Sequence, residues 1–153
     1  MRAFTLVELV IVIMILGVLA GIVAPRLMRV SVEAEAAAIL SNVDQIFDAA
    51  ERFTAEHGRL PDNADKGDFP SDFDGYLPER LFTDLTSFGG PLDWDGPGTG
   101  SPAYGVVIDR DGGASSVWRD IYQAIDSTSD DGDKNSGWIR FETNKVRFFL
   151  ADK

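Results

Sequence analysis

The chain has 153 residues, 14 basic and 25 acidic side chains, a formal charge of −11 and no cysteine. Disulfide staples are excluded, and direct nucleic-acid binding is not expected, because an acidic surface repels phosphate backbones. The excess acid lies beyond residue 30, since residues 1–30 hold only Glu8 against Arg2, Arg26 and Arg29.

Residues 9–24 carry no charged or strongly polar side chain. With residues 5–8 the run reaches the roughly 20 residues, about 30 Å of helix, that cross a hydrocarbon core. A removable signal peptide needs a short apolar stretch followed by small residues at a cleavage site. Here the stretch is long and leads through Pro25, Arg26 and Arg29 into further helical pattern, so the helix is expected to stay in the mature protein. Basic residues flank it on both sides, so the charge rule for membrane orientation does not decide which end faces inward.

Glu8 is the one charge within this segment. Thr5-Leu6-Val7-Glu8 fits the S/T-x-x-E capping box, in which threonine and glutamate each accept from the other's backbone amide. An acid in the first turn also suits the positive end of the helix dipole.

The run Ala3-Phe4-Thr5-Leu6-Val7-Glu8-Leu9 with the apolar stretch behind it resembles the N-terminal cleavage and methylation motif of type IV prepilins and type II secretion pseudopilins, and the likeness extends through Pro25. The resemblance implies a leader of residues 1–3. A prepilin peptidase would cut between Ala3 and Phe4 and N-methylate the Phe4 amine. It further implies a single-pass protein of the bacterial inner membrane, with its N-terminus cytoplasmic and its head periplasmic or extracellular. The partners it implies are the same or other pilin-like subunits in a helical filament, with Thr5, Glu8 and Pro25 acting in assembly. Ala3 stands where the family normally has glycine. If such helices pack together, Glu8 enters an apolar environment where an unpaired carboxylate is costly. The Phe4 amine freed on a neighbouring chain is one cation that would pair with it and fix subunit register.

Beyond Pro25 the pattern stays helical and becomes amphipathic. Ile39, Val43, Ile46, Phe47, Ala50 and Phe53 recur at three- and four-residue steps, while Glu33, Glu35, Asp44, Asp48, Glu51, Arg52 and Glu56 occupy mainly other faces. One helix over residues 5–57 is predicted, about 80 Å long at 1.5 Å per residue. Pro25 should bend it without ending it, and Gly58 followed by Pro61 should stop it. Residues 4–25 form the membrane or assembly segment, 26–58 its amphipathic extension and 59–153 a globular head.

The head opens with a loop-rich stretch over residues 60–102, in which Phe69, Phe73, Tyr76, Leu77, Leu81, Phe82, Leu85, Phe88 and Trp94 read as anchors for loops. Asp93-Trp94-Asp95-Gly96 and Asp109-Arg110-Asp111-Gly112 read as turns. Residues 104–109 read as a strand. Val117, Ile121, Ala124 and Ile125 read as a short helix capped by Ser115 or Ser116, and residues 138–142 and 145–150 as a hairpin. One long helix packed on a small antiparallel sheet is an α+β arrangement, as the pilin-like resemblance also implies.

Asp126, Asp130, Asp131 and Asp133 cluster around Gly132. Such acids suit a hard, oxygen-seeking cation such as Ca²⁺, and the resemblance adds that several type II major pseudopilins hold calcium in a C-terminal loop. A solvated turn is the competing reading, since no frame gives the ligand spacing of an EF-hand. Many type IV pilins staple their C-terminal region with a disulfide, so a cysteine-free chain leans toward a pseudopilin or a cysteine-free pilin.

No cysteine nucleophile, G-x-S-x-G elbow, Walker loop or histidine cluster is present. The one histidine, His57, falls at the predicted helix end, where a cationic side chain interacts with terminal carbonyls. No enzyme and no other cofactor is expected. The sequence reads as a structural subunit of a type IV filament or type II secretion pseudopilus. The alternative is a permanently anchored bitopic protein whose head binds a ligand or another envelope protein, with Glu8 only a cap.

Overall fold

The structure is a computed structural model and describes residues 5–86, 90–97, 104–109, 116–142 and 144–150. Helix α1, Leu6–His57, runs 52 residues, about 78 Å at 1.5 Å per residue. Thr5 is its N-cap and Gly58, at φ 72°, its C-cap, whose N–H donates to Thr54 O at 2.8 Å. The left-handed conformation at Gly58 costs a residue without Cβ little and satisfies a terminal carbonyl. The helix continues through Pro25. His57 Nδ1 lies 3.1 Å from Phe53 O, and its ring stacks on Phe53 at 4.1 Å.

The two halves of α1 meet different surroundings. Every residue from 5 to 31 is exposed, whereas Ala36, Ile39, Val43, Ile46, Phe47, Ala49, Ala50 and Phe53 are buried. These positions form one stripe at helical spacing, and that stripe faces a four-stranded sheet and a second helix. The strands are β1, Leu92–Asp95; β2, Gly105–Asp109; β3, Ile139–Glu142; and β4, Lys145–Phe149. They are all antiparallel in the order β1-β2-β4-β3. The short α2, Arg80–Thr83, precedes β1, and α3, Ser116–Ser129, lies between β2 and β3 and packs along α1.

Register explains which side chains enter the core. Leu92 and Trp94 lie opposite Ile108 and Val106, which lie opposite Val146 and Phe148. All six are buried against Val43, Ile46 and Phe47 of α1, with Ile121 and Ile125 of α3 in the same cluster. A long apolar helix on a small antiparallel sheet is thus an α+β layout with its core between the layers.

The loop-rich stretch is more ordered than its composition predicts. Besides α2 it holds a 3-10 turn, Ser71–Phe73, and β1. Asp93, Trp94 and Asp95, read above as part of a turn, are strand residues. Trp94 is fully buried, donates its indole Nε1–H to Pro61 O at 3.1 Å and meets Phe73 edge-on at 5.5 Å. The two-residue alternation was present, but four residues with two acids carry little strand signal without the pairing to β2. Asp109 ends β2, and residues 110–112 lie outside the described residues, as do Phe88 and Ser115. Phe73 and Phe82 are fully buried as anchors, whereas Leu85 is 70% exposed.

Because only the rear half of α1 belongs to the core, equivalent truncations along it should differ. Ile46→Ala should lower head stability by about 2–5 kcal/mol, and Ile22→Ala should change it by less than about 0.5 kcal/mol. Denaturant unfolding of the full chain in detergent micelles, followed by tryptophan fluorescence, measures both.

Candidate functional site

Two places concentrate chemistry: the start of α1 and the turn between α3 and β3. Thr5 is extended, at φ −82° and ψ 150°, which turns its side chain onto the first helical turn. Its Oγ1 accepts from Glu8 N at 3.2 Å, while Glu8 Oε2 accepts from Thr5 N at 2.9 Å and from Thr5 Oγ1 at 2.8 Å. The capping box is therefore complete, and it lies on the C-terminal side of the Ala3–Phe4 bond. Ala3 and Phe4 themselves are outside the described residues. Behind the cap runs an apolar cylinder, from Leu6 at 78% exposed to Val30 at 61%, long and apolar enough to cross a membrane. Pro25 sits within it.

At the other site, α3 ends by delivering Asp126 to the turn. Asp126 is 2% exposed; the Tyr122 hydroxyl donates to its Oδ2 at 3.0 Å, and its buried Oδ1 has no hydrogen-bond partner. Asp130 Oδ2 accepts from the Ile139 amide at 2.8 Å, tying the turn to the first residue of β3. Asp131 accepts from Asp133 N at 2.8 Å and from Ser136 Oγ at 2.7 Å. Carboxylate oxygens of Asp126, Asp130 and Asp131 lie within 4.8 Å of one another. Asp133 is not in that group; its Oδ1 accepts from Asn135 N at 3.1 Å and shapes the turn. Gly137, at φ 70°, closes the loop where a Cβ would fall on the Asp130 carboxylate. The Trp138 indole donates to Ser129 O at 2.9 Å, and its ring meets Phe47 of α1 at 6.3 Å, so the turn is tied to the core.

The electrostatics follow from this packing. Burial first, then repulsion from Asp130 and Asp131, pushes the Asp126 carboxyl above its ordinary value, and the Tyr122 hydroxyl and the Gly132 amide offset this only in part. Burial and the bond to Asp126 likewise push the Tyr122 hydroxyl up. The Ser136 hydroxyl and the Asp133 amide hold Asp131 below its ordinary value. A Ca²⁺ ion bonds oxygens at about 2.3–2.6 Å, so oxygens up to about 5 Å apart can share one. The three carboxylates meet that spacing, and the orphaned Oδ1 of Asp126 is a buried acceptor that a cation would satisfy. A hard cation such as Ca²⁺ could span these three carboxylates. Tyr122 escaped the sequence reading, although its place one helical turn before Asp126 was a usable signal. The Ile139 amide and Ser136 become neighbours only through the loop's path.

An apolar helix that no described residue covers, continuing into the spine of a small α+β head, fits a membrane-anchored, pilin-like layout. Residues 1–24 match the family model described as the prokaryotic N-terminal methylation motif, and the chain carries this prepilin-type cleavage and methylation signature. The motif marks a family of structural subunits and supports a processed, pilin- or pseudopilin-like chain. No curated protein and no solved structure matches the chain.

Proposed function

We propose that a prepilin peptidase cuts the chain between Ala3 and Phe4 and methylates the Phe4 amine, and that the product is a structural subunit of a type IV filament or type II secretion pseudopilus. It waits in the bacterial inner membrane with its N-terminus cytoplasmic and its head periplasmic or extracellular. It then joins the same or other pilin-like subunits through the front of α1. The observation that carries this reading is the signature over residues 1–24 on a helix whose residues 5–31 are all exposed. Lipid covers such a surface before assembly and neighbouring helices cover it afterwards. On leaving the headgroup region Glu8 loses water, and the Phe4 ammonium of a neighbour supplies the countercharge that an apolar bundle demands. Thr5 keeps the first turn wound, and Pro25 marks where the assembly segment gives way to the head's spine.

A second proposal concerns the head. Asp126, Asp130 and Asp131 hold Ca²⁺, with backbone carbonyls or water completing its shell. The unpartnered, buried Asp126 Oδ1 supports this. Bound there, the cation would neutralise three clustered acids and hold the end of α3 to the start of β3.

Three outcomes are expected. Mass spectrometry of the native chain should find N-methyl-Phe4 as the first residue, whereas an intact Met1 or a cut after Ala24 leaves the bitopic alternative in its place. Glu8→Ala should insert into membranes as well as wild type yet lose most filament assembly; undiminished assembly would remove the role given to Glu8. Calorimetry of the full chain in detergent micelles should show one Ca²⁺ site, weakened at least tenfold by Asp126→Asn, with a thermal midpoint that rises with Ca²⁺. No binding heat, together with a midpoint indifferent to EDTA, refutes the metal.

A further inference from the structure

The outer face of the sheet holds an ionic arrangement that the helix start and the acidic turn do not touch. Alternation along β1 sends Leu92 and Trp94 to the core and Asp93 and Asp95 to the opposite face. By register that face also carries Val107 and Asp109 of β2, Lys145 and Arg147 of β4, and Arg140 and Glu142 of β3. Three cations around that face have contacts with other groups, and Lys66 also acts on Asp93 through space. Arg147 bonds Asp95 and lies 3.2 Å from Glu142, Lys66, from the loop after α1, lies 3.6 Å from Asp109, and Arg140 sits over the Phe149 ring at 4.5 Å. Asp93 stands opposite the buried Val107, and its Oδ1 is buried with no hydrogen-bond partner.

β1 lies at one edge of the sheet, as β3 does at the other. β1 is paired with β2 on one side and touched on the other by the four-residue α2. Trp94 Nε1–H to Pro61 O, and Gly96 N–H to Asn63 Oδ1 at 3.1 Å, tie it to the irregular segment that follows α1. Movement of β1 would therefore be felt at the far end of the helix without opening the centre of the sheet.

We propose that Asp93 is a pH-sensitive latch on edge strand β1: protonated, it lets β1 seat on β2; ionised, it loosens β1 and the segment over residues 61–63. Burial, then repulsion from Asp95 and Asp109, pushes the Asp93 carboxyl up to about 6, with the Trp94 amide and Lys66 offsetting only part of this. The unfolded reference lies at 3.8, so the folded chain takes up this proton first as pH falls. The stabilisation is full below about 4 and is lost as pH rises through about 6.

The test compares wild type with Asp93→Asn as full chains in detergent micelles at pH 5 and pH 7.5. Between those values Asp93 alone should make the wild-type folding constant about tenfold larger at pH 5. Asp93→Asn should lose that tenfold change and unfold at a higher temperature than wild type at pH 7.5. The Asp126 carboxyl contributes with the same sign to both chains, so the difference between them isolates Asp93. Hydrogen exchange at pH 7.5 should slow in β1 of the variant and stay unchanged in β4. Asp109→Asn removes one repelling charge while leaving Asp93 ionisable, and should move the transition to lower pH. Equal pH slopes in wild type and Asp93→Asn, or exchange changes spread evenly over the sheet, would overturn the latch.

Discussion

The structure depends on one helix being asked to satisfy two environments. From Ala36 to Phe53 the buried positions of α1 supply one wall of the head's core, and from residue 5 to 31 the same helix is exposed all round. The second condition is unfavourable in water, where apolar surface is driven to be covered. Among the described residues the head supplies no such cover, its sheet and α3 packing on the rear half. In the proposed function lipid or sister helices would cover the front. The proposed function rests on this exposed surface more directly than on any side-chain chemistry.

Rigidity comes with the same arrangement. An isolated helix owes little of its stability to propensity, and most comes from packing on one face. Here the packed face anchors the rear turns, the Thr5–Glu8 box closes the front, and Gly58 closes the back. In the proposed subunit, a stalk anchored at one end to a folded body would carry displacement from membrane to head without a separate linker. The Trp138 ring between the acidic turn and Phe47 extends this coupling to the far layer of the head.

The long helix was legible because its signals are local: apolar spacing, a capping box four residues wide and a glycine stop. The C-terminal hairpin was legible for the same reason, its strands alternating on either side of a short turn. β1 was not. Its identity rests on pairing Leu92 with Ile108 and Trp94 with Val106, partners separated by a loop, and nothing within the four residues announces them. At the acidic turn the sequence named the acids but not which of them converge. The structure gathers Asp126, Asp130 and Asp131 and leaves Asp133 shaping the backbone, because α3 carries Asp126 in from one side and the Ile139 amide holds Asp130 from the other.

Glu8 joins the two ends of the problem. A cap and an intermolecular ion pair look like competing uses of one carboxylate, yet an ionised carboxylate has two oxygens and about four acceptor sites. Both intramolecular bonds fall on Oε2. Oε1 takes no part in them, so a neighbour's ammonium can be received there without unwinding the first turn. Capping also fixes the rotamer, so the side chain is already ordered when the pair forms and less conformational entropy is lost at that step. Under the proposed function the box would prepare for assembly: it keeps the acid hydrogen-bonded while the helix is alone and would leave an oxygen available when the surroundings turn apolar.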